Sequence, residues 1–379
     1  MIQKSYKYRI YPNKKQQELF KKHLNCVRFI YNWGLEKKIK AYQKNKKQIS
    51  CFELIIELTK LKKKKDYQWL NEVNSQSLQM ALRNLDNAFT AFFRKNSRFP
   101  KFKSKKQNKN SFQVPQFLKL GKRLGIPKIP NIKIKLDRKI EGKIKTATVR
   151  KTSTNKYFIS ILVEQNKKLP KKPRISEKTT IGIDLGIKTF ATISDGRKID
   201  NPKFLNKLLK KLGKQQRKLS RKKKGSNNKN KQRLKVALIY EKIKNQRSDF
   251  IHKLTYQFTH DNQVKTIAIE NLDVKEMLKT HYLARDISDA SWQEFRRQLE
   301  YKCNWYGKNL LTIGRFEPSS KICSKCGWAN QELKFSDRKW TCSKCKIKHD
   351  RDVNAAKNIK HFALIGSGRP KSMLVEKSQ

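Results

Sequence analysis

The sequence predicts an α/β protein of two or three domains, and three features of the chain lead to this prediction. Short stretches of alternating or continuous apolar residues, bounded by turn residues, recur in both halves and are typical of strands. Longer stretches with apolar residues three or four positions apart lie between them and are typical of helices. The 379 residues are enough for each of these domains to bury a core.

The N-terminal half predicts a β-domain that is interrupted by helices. Residues 1–12 alternate polar and apolar side chains and end at a proline, which indicates a strand. A helical period follows to about residue 95, and short alternating stretches return between about 111 and 165. We therefore expect a split β-domain of residues 1–12 and 111–178, with residues 13–110 as an inserted helical lobe.

The C-terminal half predicts a second α/β domain, which begins after a Pro- and Lys-rich stretch that ends near residue 178. Apolar strands are predicted in "TTIGIDLGIKTFATISDG", "QVKTIAIENL" and "KNLLTIGRF", with long helices over 203–259 and 288–306 and another from about 351 to 364. The expected segments are 179–319 and 348–365 for the domain, 320–347 for an insertion and 366–379 for a disordered tail.

The charge of the chain predicts a polyanionic partner. Ninety-two Lys and Arg face only 30 Asp and Glu, which gives a formal charge of +62. Such a field repels itself unless a polyanion lies beside it, and nucleic acid fits better than a membrane surface because no basic amphipathic interfacial helix is recognisable. Residues 201–235 hold fifteen Lys or Arg and no acid, which fits either a solvated helix face or a nucleic-acid track.

The protein is expected to lie in a prokaryotic cytoplasm, to be associated with the nucleoid when it acts and to have no membrane partner. Its first residues lack the apolar core of a secretory signal, and no apolar run approaches the roughly 18 residues of a membrane span. Cys26, Cys51 and Cys303 are isolated in the sequence and are expected to be buried thiols, as suits a reducing compartment.

The other four cysteines predict a structural zinc site. Cys323 and Cys326 form one C-x2-C pair, and Cys342 and Cys345 form a second pair fifteen residues later. Each pair lets two thiolates on one turn reach the same ion, and the second pair completes the tetrahedron. His349 is an alternative ligand, but four cysteines already fill the shell. Zinc would stabilise a segment that is too small to fold on apolar burial alone.

Three carboxylates stand out as candidate ligands of a second, catalytic metal. Asp184 lies inside the apolar strand "IGIDLGI", and Glu270 ends the strand "IAIE", where a buried charge is costly without a cation. Asp352 opens the helix "DVNAAKNI", so it is either a metal ligand or a first-turn acid that stabilises the helix. Asp350 fits a pure helix cap better. Carboxylates and water are the ligands of Mg²⁺.

These acids are about eighty residues apart, so one site forms only if the fold places two strand ends beside one helix start. The ribonuclease-H-like fold does this. The stretches "GIDLGIKTFATISDG" and "IAIENL", the four cysteines and "HDRDVNAAKNI", in this order, resemble the OrfB/TnpB proteins that small bacterial and archaeal insertion sequences encode. The resemblance is strongest from Lys178 to about Leu364, and "SLQMALRNLDNAFTAFF" and "RFPKFKSK" extend it into the N-terminal half.

The resemblance implies RNA-guided DNA cleavage by a RuvC-type nuclease domain, with a zinc ribbon between the second and third acids. It assigns catalysis to Asp184, Glu270 and Asp352. The implied partners are a guide RNA from the same element and a double-stranded DNA target, bound by a monomer. The split β-domain becomes a barrel-shaped wedge, and the helical lobe reads a short DNA motif and grips the guide–target duplex. The expected nucleic-acid contacts are Lys222, Lys223, Lys224, Arg98 and Lys101.

Two other functions fit parts of this pattern. A DNA strand-transfer transposase also uses three carboxylates on this fold, so the acids alone do not exclude it. The ribbon between the second and third acids and the split N-terminal domain favour the nuclease. A nucleic-acid-binding regulator without activity is disfavoured because all three acids are intact.

Overall fold

The computed structural model of the protein describes residues 1–46, 48–105, 110–279, 282–315, 317–334 and 336–366. The chain divides into two compact units, Met1–Lys168 and Leu169–Gln379. The division precedes the boundary predicted near residue 178, because the Pro- and Lys-rich stretch belongs with the second unit. Beyond Gly366, the predicted disordered tail lies outside the described residues.

The N-terminal unit contains a seven-stranded antiparallel sheet. Its strands are β1 (Ile2–Tyr11), β2 (Asn110–Val114), β3 (Lys119–Leu120), β4 (Arg123–Ile126), β5 (Ile129–Lys135), β6 (Lys143–Lys151) and β7 (Tyr157–Gln165). Their order is β2-β6-β7-β1-β5-β4-β3, so the first strand of the chain lies in the middle of the sheet. No pairing within the described residues joins β2 to β3, and a closed barrel stays a prediction.

Three helices lie between β1 and β2, namely α1 (Lys14–Asn45), α2 (Cys51–Lys63) and α3 (Ser75–Phe93), with a 3-10 helix at Lys65–Glu72. Pro12 ends the strand, and Asn13 and Gln16 form a capping box that begins α1. One face of α3 is buried at Leu78, Leu82 and Leu85. It packs with α1 and with the sheet in a single core.

The C-terminal unit is built on a five-stranded sheet. Its strands are β8 (Thr180–Leu185), β9 (Thr189–Ile193), β10 (Lys198–Asp200), β11 (Thr266–Glu270) and β12 (Asn309–Ile313). The order is β10-β9-β8-β11-β12; β8, β9 and β10 are antiparallel neighbours, whereas β11 and β12 run parallel to β8. This order and these directions are those of the ribonuclease-H-like sheet that the sequence predicts.

Helices cover both faces of this sheet. They are α4 (Phe204–Ser220), α5 (Asn227–His260), α6 (Val274–Met277), α7 (Ala284–Ala290), α8 (Trp292–Trp305) and α9 (Arg351–Gly366). Ile183 and Ile269 pack in one core with residues of α5 and α8. Ala268 instead packs with Ile359 and Ala363 of α9. Since side chains alternate along a strand, the even-numbered residues of β8 and β11 face α9.

Between β12 and α9, the chain forms a small hairpin of β13 (Lys339–Thr341) and β14 (Lys348–Asp350), which pair antiparallel. Leu333 and Trp340 are buried against the four clustered cysteines. We call residues 319–350 the ribbon. In the part of the chain that the structure describes, no helix is long and apolar enough to cross a membrane.

Candidate active site and metal centre

The four cysteines predicted to bind zinc lie together in the ribbon. Their sulfur atoms are all within 4.8 Å of one another, with Cys323 3.6 Å from Cys345 and Cys326 3.5 Å from Cys342. These separations exclude a disulfide, which joins sulfurs at about 2.05 Å. They suit a tetrahedral zinc ion, whose sulfur ligands at about 2.3 Å would stand roughly 3.8 Å apart.

Two similar turns present the cysteines. In the first, Gly327 has a φ of +75° and its N–H donates to the carbonyl of Cys323. In the second, Lys346 has a φ of 56° and its N–H donates to the carbonyl of Cys342. The glycine of the first turn is a sequence signal for this backbone conformation, whereas the second turn has no such signal because a lysine in the left-handed region is uncommon.

His349 lies beside the cysteine cluster. Its Nε2 is 3.0 Å from Sγ of Cys323, and its ring packs 4.8 Å from the ring of Trp340. With the proton on Nε2, this histidine donates a hydrogen bond to the sulfur. It is outside the group of four cysteines whose sulfurs lie within 4.8 Å of one another.

Asp184 and Glu270 lie side by side because of the strand register. The parallel pairing of β8 and β11 matches Ile183 with Ile269, and the next residue on each strand is an acid. Both acids belong to the even-numbered set that faces α9. Two carboxylates that are far apart in sequence therefore share one face at the carboxyl ends of adjacent parallel strands.

Helix α9 brings Asp352 to the same face. A Cβ atom on Gly182 would lie 2.1 Å from the carbonyl oxygen of Ala356 and 2.7 Å from the backbone nitrogen of Lys360. Only glycine allows α9 to approach β8 this closely, two residues before Asp184. Asp352 is in the first turn of α9, at the end that meets the acids.

Asp350 makes different contacts from Asp352. Its Oδ1 accepts a hydrogen bond from the N–H of Val353 at 3.1 Å, as a helix cap does, and its Oδ2 is 2.7 Å from Nζ of Lys198. Burial opposes its ionisation, but the bonds from Lys198 and Val353 outweigh this and hold the pKa of Asp350 below its ordinary value. These contacts are those of the helix cap that the sequence predicts at Asp350.

The three acids are coupled electrostatically. Burial, and then the charges of Glu270 and Asp352, raise the pKa of Asp184 to about 8, although Arg351 opposes the rise. Burial also raises the pKa of Glu270, against the hydrogen bond that its carboxylate accepts from Ser319. A bound cation would offset both the cost of ionising these shielded carboxylates and their mutual repulsion.

The carboxylates are not gathered as tightly as the cysteines. Among the described residues, the four cysteines are the only group of three or more His, Cys, Asp or Glu that could hold one ion as it stands. Asp352 lies 3.8 Å from the guanidinium of Arg338, a ribbon residue. The three acids lie on the same face of the sheet and interact electrostatically. Their ligand atoms are all oxygens, which hard divalent ions prefer.

Helices α4 and α5, with the loop between them, form what we call the basic hairpin. Lys222, Lys223 and Lys224 are exposed in this loop. A cavity of about 400 Å³ runs between the two helices and is lined in part by Lys211, Lys218, Lys235 and Lys242. At the base of the hairpin, the buried Asp289 accepts from the N–H of Leu205 and lies 2.6 Å from Arg247. Arg98 and Lys101 are exposed in the other unit.

Sequence reasoning missed several polar residues near the acids. Ser319 donates to Glu270, and Asn354 and Asn358 of α9 bond to the start of the ribbon. Their partners are distant in sequence and mostly backbone atoms, so no local pattern revealed them. The two asparagines offered one signal. Each lies on the apolar face of a helix, where a side-chain amide needs a hydrogen-bond partner.

The fold and the cysteine cluster define a ribonuclease-H-like protein with a four-cysteine ribbon inserted before α9. Family models match three parts of the chain: residues 160–281 match the OrfB model described as "Probable transposase", residues 292–359 match "Cas12f1-like, TNB domain", and residues 1–47 match "Helix-turn-helix domain". In that last range the structure shows a strand followed by one long helix, as far as Lys46.

Full-length relatives agree with these models. A protein of Streptomyces pristinaespiralis named "Putative RNA-guided DNA endonuclease" is 39% identical over 97% of this chain and 90% of its own length. InsQ of Escherichia coli K12, with the same description, is 33% identical over 97% of this chain and 96% of its own length. The chain belongs to the OrfB/TnpB family, as the sequence motifs predicted.

A solved structure is also similar. A protein chain of the structure titled "Cryo-EM structure of the Cas12f1-sgRNA-target DNA complex" aligns with 95% of this chain. The alignment covers 99% of that protein, at 18% identity and a TM-score of 0.38. Because this TM-score is low, the ribonuclease-H-like fold is assigned from the order and directions of the strands in the five-stranded sheet.

Proposed function

We propose that the protein is an RNA-guided DNA endonuclease whose cutting centre contains Asp184, Glu270 and Asp352. The observation that carries the proposal is the register of β8 and β11, which sets two half-buried carboxylates side by side beneath the start of α9. A structural protein would gain nothing from burying like charges together, since each raises the pKa of the other. The names of the full-length relatives support the same activity.

Each acid has a role in this proposal. Asp184 and Glu270 hold their carboxylates at the ends of adjacent strands, so the rigid sheet fixes their spacing. Asp352 approaches from the start of α9. Its carboxylate lies near Arg338 in this structure and would leave Arg338 on binding the metal ion. When bound, divalent metal ions, for which we propose Mg²⁺ because the ligands are carboxylates, supply an activated water and stabilise charge on the leaving oxygen.

The cysteine cluster has a separate role. We assign it a structural Zn²⁺ because four protein sulfurs fill a tetrahedral shell and leave no position for a substrate. Thiolates select zinc, while carboxylates select Mg²⁺, so the two metals do not compete for the same ligands.

The nucleic-acid partners are a guide RNA of the same element and double-stranded DNA. The +62 charge favours a polyanionic partner, and the basic hairpin has a cavity partly lined by four lysines that could contact a phosphate backbone. Arg98 and Lys101 would add phosphate contacts from the N-terminal unit. We assign the split sheet (1–12 and 111–178) the wedge role and the helical lobe (13–110) the reading of a short DNA motif, with one copy of the chain per guide.

The experiment that tests the proposal compares two neighbouring acids. Purified protein is loaded with the native RNA, and cleavage and binding of a matched plasmid are measured for Asp352→Ala and Asp350→Ala. Asp352→Ala should abolish cleavage and keep guided binding and zinc content. Asp350→Ala should retain cleavage and lose about 1 kcal/mol of stability, because it removes a helix cap.

Three outcomes are informative. If Asp352→Ala cuts at the wild-type rate while Asp350→Ala is inactive, the third acid is misassigned. If both variants cut normally, α9 does not contribute to a nuclease centre. A strand-transfer transposase would join the cut ends to a second DNA, so products in which two DNA molecules are joined would favour that alternative over hydrolysis.

A further inference from the structure

The start of the ribbon forms a bridge between Glu270, one of the proposed catalytic acids, and helix α9, which carries another. The hydroxyl of Ser319 donates to Oε1 of Glu270 at 2.5 Å. Among the described residues, we find no second side-chain donor to this carboxylate. Ser319 is itself buried, at 7% exposure, so the hydroxyl is shielded from water and its bond to Glu270 is not easily exchanged.

Helix α9 holds Ser319 in place through its backbone. Nδ2 of Asn358 donates to the carbonyl of Ser319 at 2.7 Å and to that of Ile322 at 2.6 Å. Nδ2 of Asn354 also donates to Ile322 at 2.7 Å, and its Oδ1 accepts from the N–H of Ser324 at 2.9 Å. Both asparagines are at least 97% buried, so these amides would be left without partners if the four bonds were lost, which makes the bonds costly to break.

The bridge reaches the cysteine cluster directly. Cys323, one of the four sulfur ligands, lies between Ile322 and Ser324, the two residues that Asn354 holds. The contacts therefore run from the carboxylate of Glu270 to Ser319, and then along the backbone to Cys323, the first proposed zinc ligand. Helix α9 is hydrogen-bonded to this backbone segment. An ordered cysteine turn fixes the segment, and the segment fixes the hydroxyl that orients Glu270.

We propose that Ser319 is a positioning residue for Glu270, and that Asn358 and the zinc-filled ribbon act on the cutting centre through it. This inference rests on the proposed function, because it takes Glu270 as a metal ligand. Hydrogen-bonded neighbours of metal-binding carboxylates orient the ligand, and their loss typically weakens metal binding about 10- to 100-fold. The ribbon is thus part of the support of the cutting centre as well as an independently stabilised insertion.

The test measures Mn²⁺ binding by calorimetry, with nuclease-treated, zinc-loaded full-length protein, and the Mn²⁺ concentration for half-maximal plasmid cleavage by RNA-loaded protein. Ser319→Ala should weaken Mn²⁺ binding and raise the half-maximal concentration, each about 10-fold, with zinc content and guided DNA binding unchanged. Ser320→Ala is the matched control, since no hydrogen bond of its hydroxyl is found in the described part of the chain, and it should behave as wild type.

Two further variants separate the possible failures. Glu270→Gln should lose Mn²⁺ affinity and cleavage; if it keeps both, the proposed catalytic centre itself is wrong. If Glu270→Gln behaves as expected but Ser319→Ala equals wild type in both measurements, only the positioning role of Ser319 is refuted.

The link to α9 is tested by a double-mutant cycle. Asn358→Ala should lower Mn²⁺ affinity, and the double variant Ser319→Ala/Asn358→Ala should be no weaker than the weaker single variant, because both changes remove one support. Additive losses would show that Asn358 acts by another route. Retained zinc, measured on the same samples, shows that each variant keeps its folded ribbon; should Asn358→Ala lose zinc, Asn358→Ser takes its place in the cycle.

Discussion

Gly182→Ala is expected to damage DNA cleavage without touching any catalytic side chain. The added Cβ would lie 2.1 Å from the carbonyl oxygen of Ala356, whereas ordinary contacts begin at 3.4 Å. Its neighbours there are backbone atoms of α9, which cannot rotate away as a side chain can. The helix must therefore move by on the order of 1 Å relative to β8, and Asp352 at its start moves with it.

The size of the effect follows from this displacement. A shift of about 1 Å in a catalytic group can cost about 100-fold in rate, so we expect cleavage to fall by roughly that factor. Overpacking a buried contact also costs about 1–3 kcal/mol of stability, so the melting temperature should fall by several degrees while the protein stays folded at 25 °C.

The assay is single-turnover cleavage of a matched plasmid by RNA-loaded protein, with guided DNA binding measured in parallel. Gly213→Ala is the control, because nothing lies within 4 Å of a Cβ at this position in α4 and alanine favours a helix by about 1 kcal/mol. It should cut normally and melt slightly higher. If Gly182→Ala cuts at the wild-type rate, the close approach of α9 does not position Asp352.

Three further outcomes are expected. Cys342→Ser should release the zinc, about one per chain, and unfold the ribbon, as measured by elemental analysis and proteolysis of residues 320–347. Replacing the lysines at 222–224 with glutamate should weaken RNA binding and flatten the slope of log K against log salt by about 0.7–0.9 for each phosphate that the protein no longer neutralises. Unfolding of the N-terminal unit should become easier as the pH falls below about 6.5, because burial lowers the pKa of His23 and the folded state binds fewer protons than the unfolded chain; His23→Gln should reduce this pH dependence in thermal melts.

Each of these expectations has a contradicting result. Metal-free wild-type protein with a protease-resistant ribbon would exclude the zinc role. An unchanged salt slope after charge reversal would exclude the hairpin tip from the RNA interface. For His23, the Nδ1 atom bonds to the carbonyl of Leu19 and Nε2 accepts from the N–H of Asn74, which only the neutral ring allows. Melting that is equally pH-dependent in wild type and His23→Gln would show that this ring does not titrate on unfolding.

The strand and helix pattern of the C-terminal unit was predictable because its strands are nearly continuous apolar runs between turn residues. The acids were conspicuous for the same reason: Asp184 and Glu270 interrupt or end runs in which nothing else is charged. Their side-by-side placement depends on the sheet topology, namely the parallel pairing of β8 with β11. The cysteine cluster followed from spacing alone.

The supporting contacts of the candidate site could not be predicted. Gly182 carries no turn signal, and its importance depends on how near α9 lies. Ser319 and Asn358 act through bonds to distant partners, which leave no periodic trace in the chain. The unit boundary at Lys168 was also missed, because the Pro- and Lys-rich stretch has a linker composition yet Asn309 donates to the carbonyl of Pro173.

The packing of α9 on β8 also sets when a newly made chain can acquire a cutting centre. All strands of the N-terminal unit have been translated by Gln165, so this unit can fold while synthesis continues. The acid on β8 emerges soon afterwards but must wait for a helix that begins at Arg351. Until the ribosome has added that helix, the growing chain lacks Asp352 and therefore the full set of acids proposed for cleavage.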